Sequence, residues 1–418
     1  MQTVPEAEPL PDHLSTAQVA KLLGIKSETV YAYVSRGLLP RVTVPGRRGS
    51  WFRADQVEEL QRSTSRPSHA GLAERIRTRI TLQTEDAQYY RGADVRHLAD
   101  TRTFPEICAL LWESDAVDIP VTGPDRQPEV EHGGRPIDVI RAALGLGAAR
   151  SSVRGDLSHD GVVRTAGEQI GAAVSALPML GRPLGQRERR SDPVTAGLWP
   201  RLTRRRCDPQ GLAVLRAALI LLADHELAAS TTAARVAASV RTDISGVLLA
   251  ALGAMDSPLH GGAPATARRL LREAVRDPDG VISTQLAEDR RPAGFGHVVY
   301  REQDPRAEYL LSGIRALPGV DTALLATSAR LVDEWRTRRG WFPNTDFALA
   351  VLAEALRMRD GAGEAVFIIA RLAGWTAHAL EEYQEQPMRF RLHGVYVGVR
   401  PGDSQVPRDR SASRRARV

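Results

Sequence analysis

The sequence predicts a mainly α-helical protein made of a short N-terminal module and a much larger helical one. Alanine and leucine are abundant among the 418 residues, whereas only 7 Phe and 8 Tyr are present, a balance that favours helices over sheets. Apolar residues recur at helical spacing along most of the chain. A Ser-, Arg- and Pro-rich stretch at residues 61–69 is typical of a linker and separates the two modules.

The N-terminal module is predicted to contain three short helices and a basic, glycine-rich turn. Residues 14–24 have an apolar face, a Ser-Thr start and a final glycine, which together predict a capped helix. Ser27 is predicted to cap a second helix that runs to about Arg36, and the pair forms a helix-turn-helix unit. The basic, glycine-rich residues 45–53 predict a wing, and residues 54–60 predict a third helix.

This module resembles the winged helix-turn-helix of MerR and excisionase-type proteins. The matching positions are Ala20, Leu23, Gly24, Ile25, Thr29, Val30, Gly37 and Leu38. The resemblance implies duplex DNA as a partner, with side chains near the start of the recognition helix meeting bases or phosphates and arginines meeting phosphates. The residues in question are Lys26, Ser27, Thr29, Tyr31, Arg36, Arg47 and Arg48. The alternative is a basic surface that makes protein contacts.

The overall composition agrees with a soluble protein that has an anionic partner. The net charge is +6 and comes almost wholly from arginine, which fits such a partner but equally fits a coding bias. The two cysteines, Cys108 and Cys207, lie far apart, so we expect neither a disulfide framework nor a metal site, and the cytoplasm as location. No long uncharged apolar run predicts a membrane span.

The larger module is predicted to consist of a short extended piece at residues 78–82, a turn at 90–94 and a series of helices. The predicted helices are 103–112, 138–149, 166–176, 211–225, 231–240 and 244–254. We interpret residues 116–135 as a loop because they are rich in Pro and Gly. Residues 187–206 are basic and are predicted to be an irregular, exposed turn.

Four short segments of the larger module concentrate acid/base groups and arginines. His260 stands beside two glycines in residues 257–263, His297 lies in residues 294–300, and Asp346 ends the run Phe-Pro-Asn-Thr-Asp. His225 lies upstream, on a stretch predicted to be an apolar helix. This set of histidines, a carboxylate and arginine clamps indicates carbon-acid chemistry on an anionic substrate.

These segments, in this order, resemble the citrate synthase family, whose members carry PLHGGA, GFGH-x-x-Y-x-x-x-DPR and YPN-x-D. The resemblance covers roughly residues 71–398 and implies a two-lobed all-α fold. Its implied divisions are residues 1–62 for the helix-turn-helix, 63–70 for a linker, 71–263 and 351–418 for a large lobe, and 264–350 for a small lobe. It also implies a homodimer, no permanently bound cofactor, and oxaloacetate with acetyl-CoA or propionyl-CoA as substrates.

The resemblance also implies a role for each site residue. Asp346 would be the general base, His260 the donor to the thioester carbonyl, and His297 the donor to the ketone of oxaloacetate. The substrate carboxylates would be held by His225, Arg306, Arg371 and Arg391, and Arg301 would contact coenzyme A. Gly261 and Gly262 would let the backbone approach the thioester.

Several positions depart from the family pattern and leave a second hypothesis open. Val298 replaces an arginine, and Ala228 replaces an asparagine. Leu392 and His393 stand where the family's R-P-R-A motif has its proline and its second arginine. The alternative function is a transcriptional regulator whose larger module senses a carboxylate or an acyl-CoA without efficient turnover. Taken singly, each histidine is more often a structural hydrogen-bonding group, and an aspartate after Pro-Asn is more often a helix N-cap.

Overall fold

A computed structural model describes residues 13–23, 25–44, 49–53, 56–57, 60, 76–122, 134–150, 155–288 and 290–390. The chain divides into two compact units, Met1–Arg77 and Thr78–Val418. The described part is mostly helical with a few short strands, so the predicted mainly α fold is confirmed. No helix among these residues is long and apolar enough to cross a membrane.

The N-terminal unit contains strand β1 (His13–Ser15), helices α1 (Thr16–Leu23) and α2 (Ser27–Ser35), and strand β2 (Trp51–Arg53). β1 and β2 pair antiparallel, and Val42 also bridges to Trp51. This pairing forms the base of the predicted wing, whose basic residues 45–48 lie outside the described residues, as do the predicted linker and most of the predicted third helix. The apolar core of the unit is formed by Val19, Ala20, Val30, Leu39, Phe52, Val57 and Leu60.

Helices α1 and α2 begin with different caps. The Ser15 hydroxyl accepts a hydrogen bond from the Gln18 amide while the Gln18 side chain accepts one from the Ser15 amide, a reciprocal cap. The predicted cap of α2 by Ser27 is wrong: Lys26 is the N-cap, and its side chain makes no capping hydrogen bond. Ser27 therefore lies within the first turn of the helix, with its side chain exposed.

The larger unit begins with a three-stranded antiparallel sheet and continues as a helical array. The strands are β3 (Thr81–Gln83), β4 (Gln88–Tyr90) and β5 (Ala93–Asp94), in the order β3-β4-β5. The first helices are α3 (Val95–Thr101), α4 (Phe104–Trp112), α5 (Pro136–Arg150), α6 (His159–Ala176), α7 (Gln186–Ser191), α8 (Pro193–Leu202), α9 (Pro209–Leu221) and α10 (Ala229–Ser239). They are followed by α11 (Ile244–Met255), α12 (Ala263–Arg276), α13 (Pro278–Ala287), α14 (Pro305–Arg315), α15 (Thr322–Arg339), α16 (Thr345–Ala355) and α17 (Ala362–Tyr383).

The prediction of an exposed, irregular segment at residues 187–206 is wrong, because most of it forms α7 and α8. Asp192 caps α8 by accepting from the Thr195 amide, and Trp199 is 1% exposed. The prediction was misled by the many arginines of this segment, which usually indicate exposure to solvent. Arg201 is buried, yet its guanidinium donates to the carbonyl oxygens of Leu177 and Gly197, which makes its burial tolerable.

The prediction that His225 lies on a helix is also wrong. α9 ends at Leu221, and residues 223–228 form a turn in which Glu226 has a φ of 54°. The carboxylate of Asp224 accepts a hydrogen bond from the Glu226 amide at 3.1 Å and stabilises this left-handed conformation. His225 therefore projects from a tight turn and not from a helical face.

Helix α17 is the central element of the larger unit. It has 22 residues, nearly all of them buried, and packs against α4, α5, α6, α10 and α11. Such a helix, apolar on all sides, is typical of a fully enclosed core position. Its few polar side chains include Arg371 and His378, both buried, so each of them requires a partner inside the protein.

Candidate active site

The N-terminus of α16 is joined to the loop that carries His297. The side chain of Asn344 caps the helix by accepting from the amides of Asp346 (2.9 Å) and Phe347 (3.4 Å). The Asn344 amide donates to the Gly294 carbonyl at 2.9 Å, and its side-chain nitrogen donates to the Gly296 carbonyl at 3.0 Å. These hydrogen bonds hold the N-terminus of α16 at a fixed distance from the loop that carries His297.

Because Asn344 caps α16, the carboxyl group of Asp346 is not used as a cap. No hydrogen-bond partner for this carboxyl occurs among the residues that the structure describes, and the side chain is half-buried. Burial raises the pKa of Asp346 to about 7, against the opposing positive charges of Arg306 and Arg371. A carboxyl with this pKa exchanges a proton readily near neutral pH, as a general base requires.

The imidazoles of His225 and His297 meet edge to face, with their Nε2 atoms 3.0 Å apart. His297 Nδ1 accepts from the amides of Val299 (3.0 Å) and Tyr300 (3.3 Å), so its proton is assigned to Nε2. His225 Nδ1 lies 2.9 Å from Nη1 of Arg306, a donor, and 3.1 Å from Oε1 of Gln88, an acceptor. The 3.0 Å contact between the two Nε2 atoms needs one donor and one acceptor, and His297 Nε2–H is the donor.

Both imidazoles are neutral at neutral pH. Burial, assisted by the charge of Arg306, lowers the pKa of His297 to about 4. Burial and the same guanidinium lower the pKa of His225 well below its ordinary value. A neutral imidazole that donates from Nε2 polarises a carbonyl group without carrying a charge of its own.

Two buried arginines lie beside these rings. Arg306 forms a two-pronged ion pair with Asp304, through Nε at 3.0 Å and Nη2 at 2.9 Å, which leaves Nη1 directed at His225. Arg371 donates through Nε to the Leu222 carbonyl at 3.0 Å and lies over the Phe367 ring at 4.9 Å.

Nη1 of Arg371 is buried without a hydrogen-bond partner among the described residues. An unpaired buried donor of this kind is costly, and a substrate carboxylate would satisfy it.

His260 lies in the turn between α11 and α12. The Trp375 indole donates to the Ser230 hydroxyl at 3.3 Å, and that hydroxyl lies 2.8 Å from Nε2 of His260. The hydroxyl donates its own proton to the ring, so the imidazole proton is assigned to Nδ1, away from Ser230. Burial, followed by the charge of Arg371, lowers the pKa of His260 to about 4, which keeps the ring neutral.

Gly261 has a packing role that the sequence did not indicate. Its amide donates to the Met255 carbonyl at 2.8 Å, and a Cβ at this position would lie 2.7 Å from that same oxygen. Any larger residue would therefore push the turn away from the end of α11 and displace His260. The glycine permits the close approach of two backbone segments.

Two predicted substrate-binding residues remain, Arg301 and Arg391. Arg301 is exposed, and its Nε lies 3.9 Å from Glu85 of the β3–β4 loop. Arg391 lies outside the described residues. Four described residues near the site carry hydrogen bonds that the sequence analysis did not assign, namely Gln88, Ser230, Asp304 and Asn344. For three of them the sequence offered a signal. Asp304 is the aspartate of Asp-Pro-Arg, Asn344 is the asparagine of Phe-Pro-Asn, and Ser230 is the serine of Ala-Ala-Ser-Thr at residues 228–231.

The predicted DNA-binding residues lie along α2 and its ends. Lys26, Ser27, Tyr31 and Arg36 are exposed, and Thr29 is half-buried. The guanidinium of Arg41, which the sequence analysis did not single out, lies 5.7 Å from the centre of the Tyr31 ring. Arg47 and Arg48 lie outside the described residues. In the described residues of the whole chain, no group of His, Cys, Asp or Glu is arranged to hold a metal ion.

Comparisons with known proteins agree with both modules. A family model described as citrate synthase, C-terminal domain, matches residues 128–392, and one described as helix-turn-helix domain matches residues 14–65. Citrate synthase 2 of Bacillus subtilis is 28% identical, over 75% of this chain and 91% of its own length. The citrate synthase structure from Thermotoga maritima is 26% identical with a TM-score of 0.64, covering 81% of this chain and 97% of that one.

A second solved structure is similar in fold alone. It is the citrate synthase of Thermoplasma acidophilum in a ternary complex with carboxymethyl coenzyme A and oxaloacetate. Its sequence identity is 24%, its TM-score is 0.65, and the match covers 79% of this chain and 95% of that one.

Proposed function

The chain belongs to the citrate synthase family and is a citrate synthase-type enzyme, and we propose that it condenses acetyl-CoA with oxaloacetate to form citrate and free CoA. The observation that carries the proposal is the carboxyl group of Asp346. It has no hydrogen-bond partner in the described residues, its pKa is raised to about 7 by burial, and Asn344 ties its helix to the His297 loop. This is the arrangement that proton removal from a weakly acidic methyl group needs.

In the proposed reaction, the Asp346 carboxylate takes a proton from the acetyl methyl group. The electron pair released from the C–H bond forms the enol C=C bond, and His260 Nδ1–H donates to the thioester oxygen that gains charge. The neutral state of His260, with its Nε2 accepting from Ser230, makes this donation possible.

The enol carbon then attacks the ketone carbon of oxaloacetate and forms the new C–C bond. The ketone electron pair moves to its oxygen, which takes up the proton of His297 Nε2–H, and the ring is reprotonated with the proton that Asp346 removed from the methyl group. Arg306, Arg371 and His225 bind the carboxylates, with the free Nη1 of Arg371 as one contact. Water then cleaves the citryl thioester, which releases citrate and the CoA thiol. Arg391 and Arg301 are proposed to assist, the former with a carboxylate and the latter with coenzyme A.

Propionyl-CoA is proposed as a second acyl donor, which would give 2-methylcitrate. The two donors differ by one methyl group, which an apolar pocket discriminates by only about 1–3 kcal/mol. The preference is therefore a matter of relative rates, and both substrates belong in the first assay.

We also propose that the N-terminal unit binds duplex DNA, that the enzyme is a homodimer, and that it works in the cytoplasm. The helix-turn-helix match and the exposed Lys26, Ser27, Tyr31 and Arg36 on one helix support DNA binding. A two-fold dimer presents two such units, which suits a palindromic site.

The enzyme is tested by free-thiol release from acetyl-CoA and from propionyl-CoA, with and without oxaloacetate, beside Asp346→Asn. We expect release that requires oxaloacetate and that falls by about 100-fold or more in the variant. If the folded protein releases no thiol with either acyl-CoA, the enzyme proposal fails. A change in DNA affinity on adding oxaloacetate or acyl-CoA would then favour the regulator.

DNA binding is tested by titrating duplex DNA with the wild-type protein, Lys26→Ala and Tyr31→Ala at several salt concentrations. Removing one phosphate contact at Lys26 should lower the slope of log affinity against log salt by about 1. Arg102→Ala is the charge-matched control, since Arg102 is an exposed arginine of the larger unit paired with Glu106. Absence of binding at low salt overturns the proposal.

A further inference from the structure

A chain of buried charged and polar side chains runs from the end of α17 to the turn that carries His225. Its members are Glu382, Arg235, His378 and Asp224, and each of them is 0% exposed. Burying so many ionisable groups is expensive and gives little net stability compared with apolar residues of the same size. The arrangement therefore calls for an explanation other than stability.

Each side chain of this network contacts the next one. Arg235 donates from Nη1 to Glu382 at 3.0 Å and from Nε to His378 Nδ1 at 2.9 Å. Because Arg235 can only donate, His378 carries its proton on Nε2, which faces the Asp224 carboxylate at 3.3 and 3.4 Å.

Asp224 in turn holds the turn of His225 from several sides. Its Oδ2 accepts from the Thr81 hydroxyl at 2.6 Å and from the Glu226 amide at 3.1 Å. Its own amide and carbonyl both contact the Tyr90 hydroxyl, at 3.0 and 3.1 Å. Burial alone would raise the pKa of Asp224, but His378 and Arg371 outweigh it and hold the pKa below its ordinary value. The carboxylate is thus kept charged and stationary.

The far end of the chain is fixed at the C-terminal end of α17. Besides its single bond from Arg235, Glu382 accepts a two-pronged contact from Arg389, at 2.7 and 2.6 Å, and Arg235 also pairs with Glu381. The Glu381 side chain accepts from the Arg79 amide at 2.8 Å, just before β3. This network of side chains therefore extends from the segment after α17, through the core of the larger unit, to the turn that carries His225.

We propose that Asp224, His378, Arg235 and Glu382 form a positioning relay that fixes the turn of His225 so that its imidazole faces the dicarboxylate substrate. None of the four contacts the reacting atoms. The relay holds the backbone on both sides of His225, while Arg306 holds the ring through Nδ1. This inference rests on the proposed function, because it assigns His225 to oxaloacetate and not to the acyl-CoA.

The test compares His378→Leu with His378→Gln in the full-length protein. Leucine breaks the relay at its centre, whereas glutamine keeps one acceptor and one donor. We expect His378→Leu to raise both the KM and the calorimetric Kd for oxaloacetate by about 10-fold or more, and to leave the KM for acyl-CoA within about 2-fold. His378→Gln should recover most of the loss.

Thr376→Val is the matched control. Thr376 is also fully buried on α17, and among the described residues its hydroxyl bonds only to the Leu372 carbonyl of the same helix. This variant removes a buried polar group without touching the relay, so oxaloacetate binding should not change. If His378→Leu lowers Tm but leaves the oxaloacetate Kd unchanged, or if Thr376→Val raises that Kd as much, the relay is wrong.

Two further measurements separate this inference from the enzyme proposal. Nitrogen-15 NMR of the histidines reports the tautomer and the surroundings of His225, independently of any turnover. His378→Leu should shift the His225 signals, and unshifted signals overturn the relay even if the wild-type protein is inactive.

If His378→Leu does not fold, Glu382→Gln is the second variant. It weakens the end of the relay farthest from His225 and should give a smaller rise in the oxaloacetate Kd, of about 2- to 3-fold.

Discussion

At the scale of single residues, the proposed role of Asp346 as the base implies that the protonation state of its carboxyl group sets the pH dependence of the reaction. Burial raises its pKa to about 7, whereas the pKa values of His260 and His297 are lowered to about 4. As the pH rises through 7, Asp346 loses its proton and becomes a competent base, while both histidines are already neutral. We therefore predict that kcat/KM for acetyl-CoA rises with pH, with an apparent pKa of about 7.

The measurement is a pH–rate profile from pH 5 to pH 9, with Glu354→Gln as a control that replaces a carboxylate outside the site, where it pairs with Arg268. A profile that is flat between pH 5 and pH 9 would mean that Asp346 has already lost its proton below pH 5, as an ordinary carboxyl group does, and would contradict the prediction. A limb near pH 7 that persists in Glu354→Gln supports the assignment.

Ser230 sets the tautomer of His260, so its removal should affect chemistry more than binding. In Ser230→Ala, Nε2 of His260 loses the hydroxyl that donates to it, and the proton is free to move from Nδ1 to Nε2. We predict a fall in kcat of about 10-fold or more, with the KM for oxaloacetate nearly unchanged. The paired control is Trp375→Phe, which removes the second bond to Ser230 but keeps the hydroxyl. An equal loss in both variants would point to altered packing.

At the scale of elements, Asn344 does two things that substitutions can separate. Asn344→Asp keeps an oxygen that caps α16 but loses the N–H donated to the Gly296 carbonyl, while Asn344→Ala loses both. We predict that the alanine variant is less stable by about 1–2 kcal/mol, that the aspartate variant is nearly as stable as wild type, and that both lose activity.

Asp321→Ala is the control, because it removes the exposed cap of α15, whose carboxylate accepts from the Ala323 amide. It should lower the free energy of unfolding, measured by chemical denaturation, without lowering kcat. Full activity in Asn344→Asp would contradict the view that the link to Gly296 positions His297.

The sequence predicted elements well where local signals were strong and failed where tertiary contacts decided. The helix at 103–112 was predicted from its start at Thr103, and the structure places a reciprocal cap between Thr103 and Glu106. Residues 187–206 were misjudged because arginine indicates solvent, and only the fold supplies the carbonyl oxygens that bury Arg201.

The candidate site shows the same limit. Motif order marked His260, His297 and Asp346, but the side chains that orient them come from distant positions. Ser230 is 30 residues from His260, and His378 is 154 residues from Asp224. Contacts over such separations have no local pattern, so neither the tautomers nor the relay was predictable from the chain alone.

At the scale of the whole molecule, the chain has two compact units with separate cores, and oxaloacetate should protect only one of them. A ligand at 100 times its Kd stabilises the native site by about 2.7 kcal/mol, which slows local amide exchange by about 100-fold. We predict slower hydrogen exchange at residues 224–226 and 294–297 and no change in α2. Slower exchange in α2 would reveal communication between the units and favour the regulator.

The two units also differ in their reactive amines. Lys21 and Lys26 are the only lysines among the 418 residues, and both belong to the N-terminal unit. Every other basic side chain is arginine or histidine, which common acylating dyes do not modify. A fluorophore attached through amine chemistry would therefore label the helix-turn-helix and leave the catalytic cluster unmodified. The fluorescence of the label would then report on the N-terminal unit while the larger unit turns over substrate.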